Sequence, residues 1–92
     1  MKDITEKFKK EKLNFEQVNP FFVVYRSIYI KGKKAKYQHE IIELVELYLK
    51  RKKLKADAFS RGEPSYKDVC YHENGGSSKT EMVPIQLYKK IN

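Results

Sequence analysis

The chain has 92 residues, 40% of them hydrophobic, and carries 20 Lys or Arg against 12 Asp or Glu, a formal net charge of +8. A chain of this length builds one hydrophobic core and not two, so we expect a single domain over 1–92. The longest apolar run, Phe21 to Tyr25, is far below the roughly 20 residues of a membrane-spanning helix. A lone cysteine, Cys70, forms no internal disulfide, which favours an intracellular location, cytoplasmic or nuclear.

The positive charge is concentrated between Ile28 and Lys55, where nine Lys or Arg stand against three Glu. This segment supplies +6 of the net charge, whereas an even spread would serve solubility equally well. The calculated pI is near 9.5. Together these features predict an anionic partner, with RNA or DNA first, an acidic protein second and a membrane surface only third.

The first 14 residues predict a short helix and a connector, because Asp3 and Glu6 have the spacing of a capping box. The apolar residues expected to face inward are Ile4 and Phe8, with Leu13 just beyond the helix. Residues 15–20 extend the connector as far as Asn19-Pro20, a dipeptide typical of turns. The α+β core is therefore expected over 21–92.

Phe21 to Lys31 is predicted to be a strand because β-branched and aromatic residues dominate it. Its two faces carry Phe22, Val24, Arg26, Ile28 and Ile30 on one side and Phe21, Val23, Tyr25, Ser27 and Tyr29 on the other. Both faces are partly apolar, as in a central strand with helices on one side, and we expect the helix that follows to pack on Val24, Ile28 and Ile30. Tyr25 and Tyr29 would stack on bases if they are exposed. The alternative is ordinary core or surface packing of aromatics.

A long amphipathic helix is predicted after this strand from apolar residues at helical spacing. They are Tyr37, Ile41, Leu44, Val45, Tyr48 and Leu49, with Ile42 and Leu47 widening the face. The turn between strand and helix consists of Lys31, Gly32, Lys33, Lys34 and Lys36. No Ser, Thr, Asp or Asn stands immediately before Tyr37 to cap the predicted helix, so its first amide groups would be free. Together with the lysines, these amide groups predict a phosphate site. A solvated lysine loop is the alternative. The basic tail Arg51-Lys52-Lys53 is a second candidate contact.

The C-terminal third predicts two strands and a loop. Ala56 to Phe59 is a short extended segment, residues 60–65 form a loop, and Tyr66 to Glu73 and Thr80 to Ile91 are strands joined by a glycine-rich hairpin turn. The inner face of the last strand is expected to hold Val83, Ile85, Leu87 and Ile91. Pro84 lacks an amide hydrogen and should lie at an edge or bulge. The order α-β-α-β-β indicates the α+β class, with a three- to four-stranded mixed sheet, helices on one face and a C-terminal hairpin.

Catalytic motifs are sparse, so we expect no enzyme, no metal and no cofactor. Cys70, His72 and His39 lack the spacing of a zinc site. A Cys–His nucleophilic pair needs a geometry that spacing does not establish, and structural roles are favoured. The lysine turn also lacks the GxxxxGK[ST] pattern of a nucleotide-binding loop.

From Ile28 onward the chain resembles the second half of the Alba superfamily, which includes archaeal chromatin proteins and small RNase P/MRP subunits. The resemblance rests on IYIKGKKAK, on IIELVELYLKRK and on the final hairpin, with its loop HENGGSSKT and closing strand VPIQLYKKIN. It implies contacts to nucleic acid from the lysine turn and from the hairpin, here Lys79 with Arg61 near its base. It also implies a homo- or heterodimer.

Two functional hypotheses follow. The first is a small basic nucleic-acid-binding protein, RNA favoured over DNA, that contacts the phosphate backbone as part of a ribonucleoprotein. The second is a small inhibitor or adaptor of phage or mobile-element type that docks on an acidic protein. The absorbance ratio at 260 and 280 nm of the purified protein would distinguish them, because the chain has no tryptophan.

Overall fold

A computed structural model of the protein describes residues 1–11 and 14–91. Within them, six strands and two helices follow in the order β1 (Lys2–Asp3), α1 (Thr5–Lys10), β2 (Phe15–Lys31), β3 (Lys34–Tyr37), α2 (Ile41–Lys52), β4 (Ala58–Arg61), β5 (Ser65–Tyr71) and β6 (Gly76–Lys90). One mixed sheet contains all the strands, which confirms the α+β class. The predicted element order and the count of three to four strands are wrong, because β1 and β3 are too short to leave a periodic signal.

Strand β6 forms the centre of the sheet. Strand β2 pairs antiparallel with it along most of its length, and β4 and β5 share its other side, one after the other. Strand β3 extends the sheet beyond the end of β2, and β1 pairs parallel with β4. The C-terminal hairpin predicted from the glycine-rich turn is therefore present as β5 and β6.

Strand β2 is six residues longer than predicted. Its first part, Phe15–Val18, pairs with Leu87–Lys90, so the expected connector over residues 15–20 is part of the sheet. Asn19 and Pro20 lie where the pairing shifts register between Val18 and Phe22. The turn-like dipeptide thus marks an irregularity inside a strand and not its beginning.

Helix α2 begins at Ile41 and not at Tyr37. Gly32 and Lys33 form a two-residue turn, and Gly32 has the positive φ of +61° that a type II′ hairpin turn requires at its first central position. The turn sets the register of a hairpin in which Tyr37 pairs with Ile28, so Tyr37 belongs to β3 and is exposed. The helical spacing of Tyr37 was coincidental.

The core lies between α2 and the inner face of the sheet. Its buried residues are Phe22 and Val24 on β2, Ile41, Val45 and Leu49 on α2, Phe59 on β4, and Val83, Ile85 and Leu87 on β6. The inner face predicted for β2 is confirmed at Val24 and Ile28, which are buried, whereas Ile30 on the same face is half-buried. Besides Tyr37, three apolar residues expected to face inward are exposed instead, namely Ile42, Leu47 and Ile91. Leu44 and Tyr48 lie half-buried at the margin of the core.

Pro84 lies inside the central strand, where a proline is unexpected. Its carbonyl accepts a hydrogen bond of 2.9 Å from the Gly62 amide, so its nitrogen faces the same side, the gap between β4 and β5. Because no strand pairs with β6 in that gap, the missing amide of Pro84 removes no hydrogen bond between strands. Pro84 therefore lies at neither of the expected places, an edge or a bulge, but opposite the break between two neighbouring strands.

The short N-terminal helix is confirmed as α1, but its N-cap residue is Ile4 and has no side-chain cap hydrogen bond, so the capping box predicted from Asp3 and Glu6 is wrong. The Asp3 carboxylate accepts hydrogen bonds from the Thr5 amide (3.0 Å) and hydroxyl (2.6 Å), Ile4 is buried, and the Phe8 ring lies 4.9 Å from that of Tyr88. The predicted inward position of Leu13 lies outside the described residues. Over the described ranges neither helix has the length and apolarity needed to span a bilayer.

Candidate nucleic-acid interface

The lysine turn lies at the tip of a β-hairpin. Lys31 pairs with Lys34 on β3 and with Gly76 on β6, so the β2–β3 turn and the β5–β6 turn lie side by side at one end of the sheet. The start of α2 is elsewhere in the chain and its N-cap residue is the acidic Glu40. The prediction that these lysines surround a helix N-terminus is therefore wrong.

Strand alternation gathers the hairpin lysines on one face. Lys31, Lys34 and Lys36 lie on the same side of the sheet as Tyr29, because Lys36 pairs with Tyr29 and side chains alternate along each strand. These four residues line a shallow cavity of about 360 Å³. Lys33 occupies the turn itself and is exposed, like the other three lysines. The arrangement is a cationic pocket with an aromatic ring in its wall.

Tyr29 is held in place by the neighbouring β5–β6 turn. Its hydroxyl accepts a hydrogen bond of 2.9 Å from the Asn74 amide, and its ring centroid lies 5.7 Å from that of His72. A Cβ on Gly76 would clash with the Tyr29 hydroxyl oxygen, so the ring crosses a position that only glycine leaves open. The glycine-rich turn thus orients the tyrosine, a role that its sequence did not indicate.

The charges of the hairpin lysines are not neutralised by the fold. In the described part of the chain, no carboxylate lies within 4.0 Å of Lys31, Lys33, Lys34 or Lys36. By contrast, the Arg61 guanidinium lies 2.7 Å from the Asp3 carboxylate. Arg61 also pairs with Ile85, nine residues along β6 from Gly76, or about 30 Å away. Arg61 is thus not part of this surface.

Lys79 does not lie in the hairpin loop that the resemblance implied. It is a half-buried residue of β6, and its ammonium group lies 3.8 Å from the centroid of the Tyr66 ring. In such a cation–π contact the electron-rich face of the ring attracts the ammonium group and holds it against the protein. Lys79 is therefore not one of the available cations of the pocket.

The basic tail forms a second, separate surface. Arg51 and Lys52 end α2, and Lys53 follows as its left-handed C-cap, so this group lies one helix length, about 18 Å, from the start of the helix. Arg51 lines a small groove with Val24 and Tyr25 of β2. The structure therefore does not bring the tail and the lysine hairpin into one cluster.

The outer face of β2 carries exposed aromatic rings. Phe21 is 59% exposed and Tyr25 is 54% exposed, and both lie on the same face as Tyr29. The Lys67 ammonium group lies 5.1 Å from the centroid of the Tyr25 ring. Sequence reasoning missed Lys67, because Lys67 and Tyr25 are 42 positions apart and lie on different strands.

A buried ion pair fixes the opposite, inner face. Arg26 Nε lies 2.5 Å from Glu81 Oε1, and the two side chains are only 9% and 7% exposed. Arg26 also stacks on Tyr37 at 3.9 Å and donates a 3.3 Å hydrogen bond to the His39 carbonyl. Burial and the Glu81 carboxylate together raise the pKa of Tyr66, whose hydroxyl donates to that carboxylate. The pair links β2 to β6, and its neighbours Tyr37, Tyr66 and His39 extend the contact to β3, β5 and the segment just before α2.

Cys70 and His72 flank the β5–β6 turn. Cys70 is exposed and pairs with Ser78, and His72 Nε2 lies 3.0 Å from the Ser78 hydroxyl. Among residues 1–11 and 14–91, no three potential metal ligands come together.

Comparisons of the chain with protein-family models, with curated proteins and with solved structures gave no match. The resemblance to the Alba superfamily therefore stays a prediction.

Proposed function

We propose that this protein binds nucleic acid, RNA in preference to DNA, and that the lysine hairpin holds the phosphate backbone. The observation that carries the proposal is the placement of Lys31, Lys34 and Lys36 on one face around Tyr29, with no carboxylate within 4.0 Å of them among the described residues. Three positive charges at one site repel each other, and no ion pair within the described part of the chain offsets that repulsion. Phosphate groups would offset that repulsion.

The exposed rings favour a single strand over a duplex. Phe21, Tyr25 and Tyr29 lie on one strand face, and Tyr29 and Tyr25 are four residues, or about 13 Å, apart. Stacking of a base on an aromatic ring contributes about 1–3 kcal/mol and tolerates any base. Unpaired bases are common in RNA loops and ends, so RNA is the natural ligand class for such a face.

A three-lysine substitution tests the proposal. The variant Lys31→Gln/Lys34→Gln/Lys36→Gln should weaken binding to all single-stranded RNA sequences by a similar factor. The slope of log affinity against log salt should become shallower by about two, because each phosphate contact on a single strand contributes about 0.7. Filter binding or fluorescence anisotropy over a salt series measures both quantities.

A matched control removes the same charge elsewhere. Lys7, Lys9 and Lys10 lie on α1, so their change to Gln lowers the net charge equally but leaves the hairpin intact. This control should retain nearly the wild-type salt slope, and so should the tail variant Arg51→Gln/Lys52→Gln/Lys53→Gln. Equal losses in all three variants would contradict a hairpin site.

A dissociation constant of the wild type for both RNA and duplex DNA larger than about 1 mM at 100 mM salt would rule out the nucleic-acid proposal. Even non-specific nucleic-acid-binding proteins bind more tightly than that. In that case, the wild type would be used to capture proteins from a nuclease-treated lysate. An acidic protein that binds the wild type but not the hairpin variant would support the inhibitor or adaptor hypothesis.

A further inference from the structure

The edge of β2 away from β6 is open along its middle. Strand β3 covers only Ile28–Lys31, so Phe21–Arg26 has no neighbouring strand on that side among the described residues. The Gln38 amide donates to the Ser27 carbonyl, so Ser27 directs its backbone polar groups to this edge. By alternation, Tyr25 and Val23 direct theirs to the same edge. The edge therefore offers unpaired amide and carbonyl groups.

The middle of this edge lacks the features that keep sheet edges apart. Lysines, inward-pointing charges, prolines and bulges usually protect an edge strand, and no lysine, charge or proline stands between Phe21 and Tyr25. The segment is bounded on one side by Pro20 and the register shift between Val18 and Phe22, and on the other by the inward-pointing Arg26, which is paired with Glu81. Phe21, Val23 and Tyr25 are 59%, 38% and 54% exposed. An apolar edge with free backbone groups is a template for another strand.

Helix α2 runs beside this edge, antiparallel to β2. Its start is tied to Arg26 through the His39 carbonyl, and further along it Tyr48 stacks on Phe22 at 3.7 Å. Near the middle of the helix, Leu47 is 43% exposed and lines the groove next to the edge. The apolar edge thus continues onto an apolar position of the helix.

We infer that the occupant is a second copy of this chain, joined across a two-fold axis at Val23. The β2 strands would pair antiparallel, with Val23 opposite the partner's Val23 and Tyr25 opposite the partner's Phe21. Phe21, Val23 and Tyr25 follow one another at intervals of two along the strand, so all three direct their amide and carbonyl groups to the open edge. Each would form hydrogen bonds with the residue opposite it in the partner strand. The two α2 helices would then lie side by side and antiparallel over one continuous sheet, in contact at Leu47.

Charge complementarity favours a second copy over another strand. Helix α2 has Glu43 in its first turn and Lys50, Arg51 and Lys52 in its last. A two-fold at Leu47 places Glu43 opposite the partner's Arg51, because each lies four residues from the axis. Two such pairs form per dimer, and they offset the repulsion between two chains of +8. The outer face stays uncovered, so the interface does not depend on the proposed nucleic-acid binding.

Charge reversal tests this interface without any nucleic acid present. Sedimentation of the wild type at tens of micromolar should show a dimer. Glu43→Arg or Arg51→Glu should each weaken dimerisation by at least about tenfold, because like charges then face each other. The chain that carries both changes should recover dimerisation. Lys52→Glu, on the side of the helix away from Leu47, is the matched control and should remain dimeric.

A proline at the edge tests the strand pairing separately. Val23→Pro removes an amide that faces the open edge, so the chain should keep its circular dichroism spectrum and become monomeric. A wild type that stays monomeric at hundreds of micromolar would overturn the proposal. So would single charge variants that dimerise like the wild type, a double variant no more dimeric than the single ones, or a folded Val23→Pro variant that still dimerises.

Discussion

Removing Arg26 should destabilise the fold more than any other single change to a charged residue. In Arg26→Leu, the Glu81 carboxylate, whose side chain is 7% exposed, keeps only the 3.3 Å hydrogen bond from Tyr66. Breaking a buried pair in this way costs about 3–5 kcal/mol. A domain of this size has a total unfolding free energy of only about 5–14 kcal/mol. The melting temperature should therefore fall by at least about 12 °C.

The double variant Arg26→Leu/Glu81→Leu separates the unpaired charge from lost packing. Because an apolar pair avoids the desolvation of both charges, the double variant should recover most of the lost stability. Urea titration of the wild type and of the three variants, including Glu81→Leu, gives the coupling free energy. A loss below about 1 kcal/mol in Arg26→Leu, or a double variant as unstable as the single one, would refute a dominant role for this ion pair.

Three further predictions concern the tyrosine anchor, pH and the core. Gly76→Ala should displace the Tyr29 ring and weaken RNA binding with little change in salt slope, measured by anisotropy, because no cation is removed. The pKa of Tyr66 is raised above 10.0, so the folded state loses stability as pH rises above about 10, and urea titration should show a smaller alkaline loss in Tyr66→Phe. Val45→Ala should cost about 2–3 kcal/mol in the same assay and Leu44→Ala less, because Val45 is fully buried and Leu44 is not.

The sequence predicts those elements whose signal is local. The period-two pattern of residues 21–31 correctly separates Val24 and Ile28, which are buried, from Val23 and Tyr25, which are exposed. The helix around Val45 and the final hairpin were also predicted. The start of the helix was not, because the spacing of Tyr37 fits both a helix and a strand, and only the pairing with Ile28 decides between them.

The candidate site was predictable in composition and not in geometry. The lysines of residues 31–36 are evident from the charge distribution, but their common face depends on the two-residue turn at Gly32. The ion pair of Arg26 and Glu81 joins residues 55 positions apart, and the contact of Tyr29 with Asn74 spans 45 positions. Such contacts have no local signal, because they arise only when the strands pair.

Mapping of the RNA-contacting surface tests the central claim most directly. Amide chemical shifts of ¹⁵N-labelled protein would be followed during titration with a short single-stranded RNA. We expect the largest changes at Tyr29, in residues 31–36 and along the outer face of β2, with little change at α1. Changes confined to the end of α2 around Arg51, or no change at millimolar RNA, would contradict a nucleic-acid site on the lysine hairpin.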